Sequence, residues 1–290
     1  MRLGDFEVYR ELLVQETGVD IDPNKTYLLE SRLSPIVRKW GYPTIESMTL
    51  ALRGVPEPQL VHDVVQAMAS NDTKFFRDTD NFEALEFVVI PYLIKHRKKK
   101  REIRMWSAGC STGQEVWSMQ IAALRAMEAH KANKKWNLEM LATDISDESL
   151  AYAERAIYNP HEAQSETSIR QLIEYFEQSR LGWNVKDELK NRVTFQTSNL
   201  LHETGSFGTF DVIFCCNVMN EFNRDAREKV LGLLADQMAD DGFLFLGGED
   251  NFEDETGLFM TLPGYPKMLL LADGDYKLPD LNPESLKAKE

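Results

Sequence analysis

Apolar positions in the first ninety-odd residues recur at helical spacing, and polar, glycine or proline breaks divide them into separate helices. Phe6, Tyr9, Leu12 and Leu13 mark a first helix that Gly18 ends. Asp22, Pro23 and Asn24 form an N-cap region for a second, over about 25–40, stopped by Gly41 and Pro43. A third fits 44–53, and the break at 54–58 precedes a fourth over 59–68. The polar, turn-prone segment 70–73 leads into a long helix, about 79–95, which ends in a basic run up to Arg101.

The pattern changes at Glu102. Short apolar runs at 103–108, 138–143, 193–197, 210–215 and 243–246 alternate with helical segments that begin at Gln114 and Asp147 and span 225–239. Strands alternating with helices predict a parallel sheet covered on both faces. Asn223 is placed to cap the last of these helices, with Gly242 just past its end. Between Tyr175 and Arg192 the pattern loosens into a small insertion, and the tail from Leu278 is polar. The expected organisation is a helical domain over 1–70, a linker and connecting helix over 71–101, an α/β domain over 102–277 and a tail over 278–290.

Composition narrows the class. A hydrophobic fraction of 43% and a charged fraction of 28% are those of a globular protein. No stretch approaches the roughly 18 apolar residues that span a bilayer. The best run, 87–94, holds eight. The N-terminus carries two acids within seven residues and no apolar core, so a secretory signal is not expected. Three cysteines, Cys215 and Cys216 adjacent, make no disulfide framework and fit a reducing compartment. A net charge of −14 opposes nucleic-acid binding, which needs Lys and Arg against phosphate. A soluble, cytoplasmic monomer without membrane insertion is expected.

The first strand ends in a glycine turn, Ser107 to Gly113, that opens a helix. Ligands of α/β sheets sit outside the carboxyl ends of the strands, where glycine lets the backbone come close. The Gly-x-x-x-Gly spacing is neither a dinucleotide fingerprint nor a P-loop. Asp144, at the end of the second strand, is placed to accept hydrogen bonds from a ribose diol. A glycine turn with a ribose acid but no pyrophosphate loop points to a nucleoside, of which S-adenosylmethionine is the commonest. The alternative is purely structural: Gly109 and Gly113 tighten a turn and Asp144 caps a helix. The five histidines lack ligand spacing, and no metal is assigned.

Four segments in order resemble the CheR chemoreceptor methyltransferases. NDTKFFR at 71–77 is similar to that family's N-x-T-x-F-F-R, and WSAGCSTGQEVWS at 106–118 to its W-S-A-A-C-S-T-G-E-E-P-Y-S. ATDI at 142–145 matches, and FDVIFCCN at 210–217 resembles F-D-V-I-F-C-R-N. The resemblance implies an N-terminal helical domain, a Rossmann-like class I methyltransferase sheet and a small β-subdomain near 180–192. It implies S-adenosylmethionine as cofactor, with contacts at Asn71, Thr73, Arg77, Ala108, Gln114, Asp144, Asn199, Leu200, Cys216 and Asn217. It also implies methyl-ester formation on glutamate side chains of a methyl-accepting chemoreceptor or related signalling protein. Phe75 and Phe76 then anchor the linker so that Arg77 enters the cleft.

The chain departs from the family at the cleft. Gln114 stands where a carboxylate is usual, Cys216 where an arginine is, and Glu221 where a tyrosine lies near the transfer site. Losing a charge-assisted hydrogen bond costs about 1–3 kcal/mol, and Glu221 would repel an incoming carboxylate. Arg77 and Glu221 are the candidate catalytic residues; the alternative is a signalling module that binds cofactor or partner without methyl transfer. In the family a basic helix of the first domain faces the receptor. Here Arg32, Arg38, Lys39 and Arg53 stand in that role or form a solvated face, diluted by Glu30 and Glu46. The basic run 95–101 reads as a solvated helix end, favoured by the helix dipole. The loop at Gly182 and Trp183 either docks a receptor tail, as in some relatives, or simply packs.

Overall fold

A computed structural model describes residues 2–69, 72–132, 135–203, 205, 207–251, 254 and 256–281. Four helices come first: α1 (Leu3–Thr17), α2 (Thr26–Lys39), α3 (Ile45–Arg53) and α4 (Pro58–Met68). Gly18 closes α1 in the left-handed region, its N–H donating to Val14 O, and Thr44 with Ser47 makes a capping box on α3. Phe6, Tyr9, Leu13, Leu29, Leu33, Met48 and Val64 interlock as the core of this unit. Three of the four bases expected to face a partner are used internally. Arg32 donates to Met68 O and Ala69 O, Lys39 pairs with Asp63 at 2.7 Å, and Arg53 donates to Gly4 O, while Arg38 is exposed.

The connecting helix runs as α5 (Thr79–Ala84), a π turn (Leu85–Val89) and α6 (Ile90–His96). The π turn lies just before Pro91, whose ring and missing N–H disrupt ordinary α bonding. The basic run that follows is more than a solvated end. Arg97 donates to Asp211 at 3.1 Å and grips Asp241 through both terminal nitrogens, joining the helix to two strands. The pairing offsets the desolvation of two largely buried acids.

The α/β unit follows as β1 (Glu102–Ala108), α7 (Gln114–Ala129), β2 (Asn137–Asp144), α8 (Asp147–Arg155), β3 (Ile157–Tyr158), α9 (Pro160–Gln164), α10 (Ile169–Tyr175), β4 (Phe176–Ser179), β5 (Gly182–Val185), α11 (Asp187–Lys190), β6 (Val193–Thr197), β7 (Phe210–Cys215), α12 (Arg224–Asp236), β8 (Met238–Leu246), β9 (Phe259–Leu262) and β10 (Tyr265–Leu271). Seven strands form one sheet in the order β6-β2-β1-β7-β8-β10-β9. The first five are mutually parallel, and β10 returns antiparallel between β8 and β9. This is the Rossmann-like α/β sheet expected, closed by an antiparallel hairpin that the apolar pattern did not reveal.

Two local expectations need correction. Gly242 lies inside β8 and not past a helix end: the register slips between Phe210 and Val212, and a Cβ on Gly242 would meet Ala239 O at 2.9 Å. The small β-subdomain is a three-stranded sheet, β3-β5-β4, built largely before the stretch 180–192, which holds only β5 and α11. Its first strand is two residues long, too short to leave a periodic signal. Gly182 is required there, because a Cβ would stand 2.2 Å from Tyr158 O. Trp183 is half-buried beside Tyr158, with an indole N–H that has no partner among the described residues.

The helical unit is fastened across the carboxyl ends of the strands. Val19 bridges Phe222, Asp20 N donates to Glu221 O, and Asn223 N donates to Gly18 O. On the other flank, Gln66 donates to Ile145 O and accepts from Asp147 N. A roofed cleft results at the crevice where α/β sheets place their ligands.

Candidate functional site

Under this roof lies a cavity of about 280 Å³, walled by the end of α1, the linker, the glycine turn and the loops after β2, β7 and β8. Thr73, Arg77, Asp144, Asn199, Leu200, Cys216, Asn217 and Glu221 all line it. Ala108 and Gln114 do not: Ala108 is buried within β1, and Gln114 accepts a hydrogen bond from the Thr112 hydroxyl, 2% exposed. Asn71 lies outside the described residues.

The linker is set by its two phenylalanines. Phe75 packs edge-on against Tyr158 and Phe176, and Phe76 against Phe82, while Phe76 N donates to Ser118 Oγ at 2.9 Å. Phe76 and Asp78 both hold positive φ, as do Ser111 and Asn217 across the cleft. Non-glycine residues in this region are strained, and such strain gathers at functional sites. Arg77 is thereby presented to the cavity, where it donates to Asp72 O at 2.9 Å and to Glu249 Oε1 at 2.8 Å.

Asp144 accepts from Ser111 N at 2.7 Å and Ser146 N at 2.8 Å, so it shapes the glycine turn besides facing the cavity. Burial pushes its carboxyl up from the ordinary value. The Ser111 hydroxyl, in the same wall, is buried and has no partner among the described residues. The Asn199 side chain turns away to Glu16 O and Leu201 N, tying α1 to the sheet. Asn217 donates to Asp78 at 3.1 Å and, through its N–H, to Asp250 at 2.6 Å.

Glu115 is the site residue that sequence reasoning missed. It lines the cavity, half-buried, and accepts from Ser107 Oγ at 2.7 Å. Loss of solvent pushes its carboxyl up to about 7, despite stabilising hydrogen bonds from Ser107 and Cys216. The change at Gln114 therefore does not strip the cleft of its carboxylate, which comes from the next residue along α7. The signal was present in the Gln114-Glu115 pair, but only the helix start decides which of two neighbours faces the cavity.

The lining is acidic. Asp72, Asp78, Glu115, Asp144, Glu221 and Glu249 contribute to it, against Lys74 and Arg77 as the cations among the described residues. Such a wall suits a cationic ligand. The unpartnered Ser111 hydroxyl and the remaining acceptor capacity of Asp144 suit a ligand carrying hydroxyls, so the residues present fit S-adenosylmethionine. Among the described residues no group of three or more His, Cys, Asp or Glu is arranged to hold a metal.

Comparison with known proteins agrees with this geometry. Residues 71–267 match the CheR methyltransferase SAM-binding domain, and residues 4–69 match the CheR all-alpha domain. The chain belongs to the CheR methyltransferase family. Among CheR relatives, it is 33% identical to chemotaxis protein methyltransferase Cher2 of Pseudomonas putida, over 85% of this chain and 90% of that one. It is also 33% identical to chemotaxis protein methyltransferase 1 of Pseudomonas aeruginosa, over 90% and 96%. Similar solved structures include PKMT2 from Rickettsia typhi in complex with AdoHcy (17% identity, 56% of this chain and 25% of that one, TM-score 0.33). The plantazolicin methyltransferase BpumL with SAH is another (12%, 77% and 60%, TM-score 0.34). Membership of the CheR family makes this protein an S-adenosylmethionine-dependent methyltransferase. No helix among its described residues is long and apolar enough to cross a membrane.

Proposed function

We propose that this enzyme forms methyl esters on glutamate side chains of methyl-accepting chemoreceptors or a related signalling protein. One observation carries the choice of a carboxylate acceptor: the Arg77 guanidinium, at the cavity, already holds a carboxylate, that of Glu249. A planar guanidinium that binds one carboxylate there can hold another in its place. Bound S-adenosylmethionine supplies an electrophilic methyl group. The acceptor glutamate is ionised near neutral pH, so no general base is needed. The chain's own contribution is alignment and exclusion of water by the roof of α1 and α4. In this reading Thr73, Arg77, Ser111, Glu115, Asp144, Leu200, Cys216 and Asn217 hold the cofactor, with Asp144 and Ser111 toward its hydroxyls and Glu115 toward its cationic end. Arg77 also orients the acceptor.

Glu221 supports a second reading, a binding module without turnover, because its exposed carboxylate lines the cavity where an acceptor must pass. Incubation with receptor-containing membranes and methyl-labelled S-adenosylmethionine separates the two. Methyl groups released by mild base, and reduced at least tenfold (about 1.4 kcal/mol) in Arg77→Ala, are expected. Cofactor binding without base-labile label on any receptor membrane means the second reading holds.

A further inference from the structure

Three carboxylates at the cavity face solvent: Asp72, Glu221 and Glu249. The two cations beside them are already engaged, Lys74 with Glu166 at 2.9 Å and Arg77 with Glu249 and Asp72. No basic residue of α2 or α3 lines the cavity, and Arg32, Lys39 and Arg53 are bound within the helical unit. Glu115 and Asp144 sit deeper, half-buried and buried, and are enough to face the cationic cofactor. The outer acids meet whatever approaches from solvent.

We infer that Asp72, Glu221 and Glu249 form a selectivity rim that admits an acceptor glutamate flanked by basic residues and disfavours one flanked by acids. This rests on the proposal of a glutamate acceptor. An acid flank brings like charge to a rim whose cations, among the described residues, are already paired, whereas a Lys or Arg flank gains contact with it. The rim residues discriminate among acceptors and take no part in methyl transfer itself. Exposed ion pairs are each weak, so the effect is a graded preference.

The test uses two synthetic helical peptides that share a central glutamate, one flanked by Lys and one by Glu, with the full chain. Binding to the protein saturated with S-adenosylhomocysteine is measured by fluorescence anisotropy, and base-labile methyl incorporation in parallel with S-adenosylmethionine. The Lys-flanked peptide is expected to bind and react better by roughly fivefold at low salt, with the gap closing by about 0.5 M salt. Glu221→Lys reverses the order, and Glu221→Gln shrinks it. Equal affinity for both peptides, or preference for the acid flank, overturns the inference. So does a Glu221→Lys variant that loses S-adenosylhomocysteine affinity while treating both peptides alike, since the rim would then serve the cofactor. If neither peptide is methylated although the Lys-flanked one binds better, the rim stands and the glutamate-acceptor reading fails.

Discussion

Glu115 and Asp144 share a cavity, and burial raises both carboxyls, that of Glu115 to about 7. Asp144 receives two backbone N–H groups that favour its charged form, and they offset part of the desolvation. Glu115 has hydroxyl and thiol donors, with Asp250 and Asp78 nearby raising it further. Its ordinary value is 4.5 and its folded value about 7. Between these the folded chain keeps a proton that the unfolded chain has released, so this group's contribution to stability falls as pH rises through that window. A fixed sulfonium charge has the opposite preference and favours ionised Glu115. The ratio of S-adenosylmethionine to S-adenosylhomocysteine affinity is therefore expected to rise between about pH 6 and 8. Glu115→Gln should flatten it. Calorimetry at several pH values reads this directly, and a ratio independent of pH in the parent would refute the role of Glu115.

At the scale of elements, the connecting helix and the linker were legible and their fastenings were not. The apolar pattern over 79–95 marked a helix; the π turn at Leu85–Val89 goes with the neighbouring Pro91, whereas the grip of Arg97 depends on Asp211 and Asp241, more than a hundred residues away. In sequence, Arg97 is one of several bases in a polar run and nothing distinguishes it. Arg97→Ala should destabilise the fold by about 3 kcal/mol, because it leaves two largely buried acids without their cation. Arg97→Lys should recover only part, since an ammonium cannot reproduce the forked contact. Thermal denaturation of the three proteins checks this; equal midpoints for Arg97 and Arg97→Ala would show the pairs to be worth little.

Across the whole molecule, function depends on how the helical unit sits over the sheet. Gly18 is the tightest point of that joint: at φ +77° a Cβ would lie 2.4 Å from the Ala226 Cβ. Gly18→Ala must strain the backbone and push α12 from α1, a cost of about 1–3 kcal/mol. Thr17 and Val19, its neighbours, wall the cavity, so the same change should weaken S-adenosylhomocysteine binding several-fold while far-ultraviolet dichroism stays unchanged. Unaltered affinity would mean that the roof is not needed to hold the cofactor.

Sequence by itself determined the helix-then-α/β order, the glycine turn, Asp144 at a strand end and the family, because these rest on local periodicity and contiguous motifs. Glycine, proline and capping residues act on their immediate neighbours, so helices such as α1 and α3 could be read with their ends. Tertiary structure decided which of Gln114 and Glu115 meets the cavity, and that Asn199 serves the domain joint. It also decided that Arg32, Lys39 and Arg53 of α2 and α3 are held inside their own unit, and that the cations lining the cavity among the described residues are already paired. Those outcomes depend on burial and on partners distant in the chain, and burial is a property of the assembled fold that no local pattern encodes.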